Sequence, residues 1–430
     1  MHAGIAGGLE KDPGRHSIIN RRTERRFQVI GERVMEPKAT RMTSIVSLMA
    51  VFCVGIAFII IGSISEEMKK DLEITNVDIG NLTLALFLTS VIVQLIVGPF
   101  VDKFGHKPLA IAGFLVSSLS MFMIALASSF QMVFFACILL GIGAMCLNTV
   151  GNTLIPVVLF DGKDPARASN FGNAFFGLGY VITPLLFSLF AGYAVAYQTG
   201  VYLLCGLFLV FLIAALGAPF PQVSTGYQFS MAFKLLGKPA VLIAALALFC
   251  YVSLEISMAT WSKPYMTELF GGSQNAKAVA SAGLVLSLFG VAMMVGRFLT
   301  SMIKNLTKIG AKLVSILALV AIAAILVMVI TELPGLAIVA VVLTGLVFAP
   351  VFPTIVGITF AKSEPSLYGS IFGIIFAVGL LGGTVVPKII GSLSEGATVQ
   401  QSLLIVLAMA VALLVISFFL GRKGKVAISK

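Results

Sequence analysis

The chain has 430 residues, of which 59% are hydrophobic and 11% charged, with a net charge of +11 and a mean hydropathy of +1.06. An ordinary soluble domain, with roughly a quarter of its residues charged, is excluded. Apolar runs of about 18 residues or more, each able to cross a bilayer core of roughly 30 Å, recur from Ile45 to Leu420 and predict a polytopic membrane protein.

Residues 1–41 form a polar tail with a basic cluster at Arg21, Arg22, Arg25 and Arg26. It lacks an apolar core followed by a small-residue cleavage site, so it reads as a cytoplasmic tail that helps set orientation rather than a secretory signal. Twelve spans follow at 43–65, 80–101, 107–128, 131–153, 169–191, 198–219, 238–262, 278–301, 309–331, 335–360, 366–390 and 400–421. The longest connection carries an amphipathic piece, FSMAFKLLG, and splits the spans six and six. The expected organisation is a tail (1–41), a six-helix bundle (42–220), a cytoplasmic linker (221–237), a second six-helix bundle (238–421) and a short tail (422–430). Pro353, between Phe352 and Thr354, is expected to bend the tenth span.

With both termini inside, all but five of the 29 Lys and Arg (Lys69, Lys70, Lys263, Lys277 and Lys388) fall on the cytoplasmic side. That bias predicts cytoplasmic termini and accounts for the positive charge without a nucleic-acid partner. The five cysteines (Cys53, Cys137, Cys146, Cys205, Cys250) are dispersed through the spans and read as packing residues. The histidines (His2, His16, His106) lie in the tail or a loop, so no metal site and no resident cofactor is expected.

An internal repeat supports the division into halves. GIGAMCLNTV at 141–150 and GLVFAPVFPTI at 345–355 each lead to a charged turn, KDP at 163–165 and SEP at 363–365. Each following span has spaced glycines and a late proline: Gly172, Gly177, Gly179 and Pro184, then Gly373, Gly379, Gly382 and Pro387. Duplicated halves that rock against each other are how many transporters alternate access.

Glu255 stands out as the one charged side chain that no loop, tail or helix end accounts for. An acid at hydrocarbon depth is tolerated mainly where it faces a bundle interior or a watery path. At 1.5 Å per residue it lies roughly 22 Å above the cytoplasmic start of the seventh span, in the outer half. Its roles stay open among proton carrier, sodium ligand, solute contact and structural acid. Tyr251 shares its face, as Asn152 shares that of Asn148. With Gln94 and Asn173 these amides either bind a hydroxyl-rich neutral solute or hold the bundle together. Trp261, the single tryptophan, is either an interfacial anchor or a stacking platform; Phe352 and Thr354 contact solute or simply pack. Arg167 and Arg297 are placed at cytoplasmic ends, which leaves no mid-membrane arginine. That disfavours carriers of phosphate or nitrate, which need a buried cationic clamp.

GPFVDKFGHK at 98–107 resembles the signature loop of the major facilitator superfamily, G-x-x-x-D-(R/K)-x-G-(R/K)-(R/K). The resemblance implies an all-α membrane fold of twelve helices in two pseudo-symmetric bundles. It also implies a gating role for Gly98, Asp102, Lys103, Gly105 and Lys107, with His106 a departure. In the second half the loop is degenerate: Gly296 and Arg297 remain in VGRFLTSMI, without a following Asp. LNTVGNTLIP through ARASNFGNAFFGLG, FCYVSLEISMATW and FPTIVGITFA resemble the fucose–galactose–glucose symporter branch and its sodium-coupled glucose-transporter relatives. Against that branch, the first span has no acid, and Asn148 stands where the fourth would carry one. Pro184 also lacks the glycines of the fifth-span antiporter motif. What the resemblance implies is a monomeric, multi-pass transporter of the cytoplasmic membrane that moves a monosaccharide with a proton or sodium ion through Glu255. The alternatives are an exporter of hydrophobic or drug-like compounds and a transporter-like sensor. An enzyme is not expected.

Overall fold

In the computed structural model the described residues are 37–159, 165–220, 229–303, 306–362 and 368–420. The arginine cluster at 21–26, the C-terminal tail and, apart from Pro165, the charged turns of the internal repeat therefore lie outside them. The described chain is helical: α1 Pro37–Ser63, α2 Ser65–Asp71, α3 Asn76–Phe104, α4 His106–Leu126, α5 Phe130–Val158, α6 Pro165–Gly192, α7 Tyr197–Gly217 and α8 Phe229–Leu236. Then come α9 Pro239–Leu269, α10 Ala276–Ser301, α11 Leu306–Ile330, α12 Pro334–Phe348, α13 Val351–Ala361, α14 Tyr368–Leu393, α15 Val399–Ser402 and α16 Leu404–Leu420. Twelve spans are long and apolar enough to cross a membrane, as expected where lipid forces backbone groups to pair within each segment.

Helix starts follow local chemistry. Thr75 and Asp78 form a capping box at α3, and Ser129 and Asn275 accept from first-turn amides of α5 and α10. Pro239 and Pro334 occupy the first turns of α9 and α12, where a missing N–H costs nothing. Pro353 is likewise in the first turn of α13, and the break in the tenth span falls at Ala349–Pro350, between α12 and α13. The expected bend is thus displaced by three residues. The short α2 after α1 was not foreseen.

Two bundles repeat one packing pattern. In the first, α1 packs on α6, α3 on α5 and α4 on α7; in the second, α9 packs on α14, α10 on α12 and α11 on α16. The bundles meet through α6 with α10 and α3 with α14, pairs that the same pseudo-symmetry exchanges.

With twelve crossings, α1 begins and α16 ends on one face, here the termini face. Among the described residues, contacts between the halves include several at mid-depth and toward the far face. At mid-depth Ser287 Oγ donates to Val181 O at 2.9 Å, and a Cβ on Gly290 would sit 2.5 Å from Tyr180 O. Farther out, Ser188 Oγ donates to Ala280 O at 2.6 Å, and Gly62 lies so close to Ala259 that a side chain would strike its carbonyl. Lys263, expected in a loop, is inside α9 and fully buried. Its Nζ donates to Ser63 O at 2.6 Å and to the Glu67 carboxylate at 2.5 and 2.7 Å, tying α9 to the end of α1 and to α2.

Candidate functional site

Between the bundles is a narrow cavity of about 40 Å³, room for a few waters at roughly 10–15 Å³ each. From the first half Asn148, Asn152, Asn173, Val51, Phe58 and Phe176 line it; from the second, Glu255, Arg297, Val252, Ile256, Phe352, Phe372 and Phe376. Glu255 therefore faces the space between the halves, at mid-helix and not in the outer half. The reason is helix length: α9 continues to Leu269, beyond the predicted end at 262, and this puts Glu255 near its middle.

Arg297 is the largest correction. Expected at a cytoplasmic helix end with a gating role, it is buried in the cavity wall, where its Nη2 donates to Glu255 Oε1 at 3.1 Å. The guanidinium also lies 5.0 Å from the centre of the Phe176 ring, a cation–π geometry that reaches across to the other half. A buried arginine is thus present between the halves, and the sequence argument against a buried cationic clamp loses its premise. Glu255 is also not the lone buried charge, since Arg297 and Lys263 join it.

The amides form a chain within the first half. Asn152 Nδ2 donates to Asn148 Oδ1 at 2.8 Å and to Asn148 O at 3.0 Å, and Asn148 Nδ2 reaches Gln94 Oε1 at 3.4 Å. Gln94 is buried behind the lining, on α3. Tyr251 is fully buried beside Glu255 and Arg297, with its ring 6.2 Å from that of Phe352. Neither its hydroxyl nor Arg297 Nη1 has a hydrogen bond of good geometry.

Two predicted residues stand elsewhere. Thr354 is buried with its methyl toward Gly310 of α11. Trp261 is neither interfacial nor in the cavity lining: it is fully buried, and its indole N–H donates to Pro387 O at 3.1 Å, packing α9 on α14. In the signature loop Gly98 is buried, Lys107 is exposed and Gly105 turns the chain between α3 and α4 at φ +79°. The side chains of Asp102 and Lys103 lie outside the described part. His106, the departure from the motif, is buried and its Nε2 lies 2.8 Å from Thr153 Oγ1 of α5. The five cysteines are buried and unpaired, and among the described residues no His, Cys, Asp and Glu group could hold a metal.

The family model of the Major Facilitator Superfamily matches residues 47–387. Multidrug resistance protein 1 of Bacillus subtilis (strain 168) is 25% identical over 150 residues, which is 35% of this chain and 38% of that protein; the match therefore spans under two fifths of the relative. Among solved structures, a point mutant of the nucleoside transporter NupG superposes with a TM-score of 0.70 at 17% identity, covering 89% of this chain and 100% of that one. A point mutant of the E. coli fucose:proton symporter FucP gives 0.61 at 17% identity, with coverage of 89% and 100%. At these identities the structures share the fold.

Proposed function

The chain belongs to the major facilitator superfamily, and from that premise we propose a secondary active transporter of a small polar organic solute. The solute is of monosaccharide size, crosses the cytoplasmic membrane by alternating access, and is coupled to protons or sodium through Glu255. One observation carries the reading. Asn152 and Asn173 of the first half and the Glu255–Arg297 pair of the second face one cavity on the line where the halves meet. A solute held there touches both halves, and rocking them turns the same site from one side to the other. The narrow cavity fits a state with the halves drawn together. With cytoplasmic termini, as the Lys and Arg bias supports, closure around Lys263–Glu67 seals the outer side, and the 98–107 loop serves as the latch on the inner side.

A second reading, export of a hydrophobic compound, draws on the five phenylalanines of the lining and on the partial match to a multidrug resistance protein. Counterflow of labelled hexoses into proteoliposomes, with and without imposed proton or sodium gradients, separates the two. Accumulation of a small polar solute supports the first. Extrusion of a lipophilic dye with no polar solute moved favours the second.

A further inference from the structure

The polar groups around the cavity differ in how far their hydrogen bonds are already used. The amides are largely used on one another, through the chain Asn152–Asn148–Gln94. The donors around the Glu255–Arg297 pair are not. Arg297 gives Nη2 to a single carboxylate oxygen, while its Nη1 is buried without a hydrogen bond. The hydroxyls of Tyr251 in the same half and of Tyr180 on α6 of the first half, both fully buried and close enough to feel the charges of Glu255 and Arg297, make no hydrogen bond of good geometry. Three buried donors with unused capacity around a guanidinium describe a place for an anion with several acceptor lone pairs. A neutral hydroxyl would leave most of that capacity unmet.

Resting on the transporter reading above, we infer that the solute is a small monocarboxylate, that its carboxylate binds Arg297, and that Glu255 releases the arginine by taking up a proton. Guanidinium accepts a planar carboxylate in a two-pronged geometry that Glu255, bonded through one oxygen, does not fill. A second carboxylate entering while Glu255 is ionised would put two negative charges on one cation in a desolvated site. A proton on Glu255 removes the excess. The proton comes from water on the side to which the cavity opens and leaves with the solute on the other side. Each cycle then moves one carboxylate and one proton, with no net charge. The titratable groups facing Glu255 are Arg297, Tyr251 and Tyr180; among the described residues no other charged side chain lines the cavity. The carbon skeleton of the solute lies against the phenylalanine wall of Phe58, Phe352 and Phe376.

The test uses matched probes in proteoliposomes of the full chain: D-glucuronate against D-glucose, and benzoate against benzamide. The inference expects an acid to move while its neutral partner neither moves nor competes, with uptake driven by a proton gradient and silent in solid-supported-membrane recordings. Glu255→Gln, neutral at every pH, should still exchange the acid, and its net uptake should now carry one negative charge per molecule without dependence on pH. Arg297→Gln should weaken acid uptake about tenfold or more, and Arg297→Lys should restore part of it. A merely structural ion pair would leave the transported charge unchanged. If the neutral partners move and the acids do not, the inference is overturned and the transporter reading stands. If neither acids nor neutral polar solutes move while a lipophilic dye is extruded, both fall.

Discussion

Arg297 Nη2 donates to Glu255 Oε1 at 3.1 Å within the second half, while the same guanidinium lies 5.0 Å over the Phe176 ring of the first half. The ion pair and the ring therefore belong to bodies that must move relative to each other in any rocking cycle. Rocking cannot leave this contact unchanged, so the state of the pair and the state of the halves are physically linked.

Removing one partner of a buried ion pair leaves the other charged and unpaired, at a cost of about 3–5 kcal/mol. Arg297→Gln should therefore lower the melting temperature of the purified protein markedly. Combining it with Glu255→Gln should recover most of the loss, because two neutral amides can bond to each other. Thermal unfolding of the two single variants and the double variant reads this directly.

Lys263 is fully buried and satisfied by Ser63 O and Glu67. Lys263→Met should remove charge-assisted bonds that exist only when α9 meets α1 and α2. Each such bond contributes about 1.5–3 kcal/mol, so opening at the far face should become roughly tenfold more frequent or better. A cysteine at Ala259, closed off here by Gly62, would report it as faster alkylation by a membrane-impermeant maleimide.

Gly290 meets Tyr180 O so closely that a Cβ would lie 2.5 Å from it. Gly290→Val should hold α10 away from α6 without disturbing either bundle, since the clash is between them. Folded, monodisperse protein should be recovered while transport falls at least about tenfold. Unchanged transport would mean that this approach is not needed in the cycle.

Trp261→Phe should lose one hydrogen bond, to Pro387 O, at a cost of about 1 kcal/mol, and leave solute affinity unchanged. Equilibrium binding to the variant checks this. A large affinity loss would return Trp261 to the solute site.

The spans were legible because a bilayer demands long apolar runs whatever the packing, and the signature loop because its residue types are fixed by a tight turn. Gly105, with its positive φ, shows that constraint. Asn148 and Asn152 were legible as a pair because one helical turn joins them. The bond from Asn148 to Gln94 depends on how α5 lies on α3, which spacing along the chain does not encode. Arg297 was misplaced for a related reason. Sequence gives depth along each residue's own helix, whereas helices tilt and overhang the bilayer by different amounts. Glu255, near the middle of α9, and Arg297, near the end of α10, therefore meet although counting along each helix places them at different depths. The signal for their pairing was that one buried acid needs one partner, and Arg297 is the one arginine inside a predicted span of the second half.

Proton-driven uptake by wild type and Glu255→Gln, compared in the same proteoliposomes, tests the coupling role of Glu255 most directly. The account predicts that wild type concentrates solute against its gradient, while Glu255→Gln exchanges solute but no longer concentrates it. Concentrative uptake by Glu255→Gln equal to wild type would contradict it.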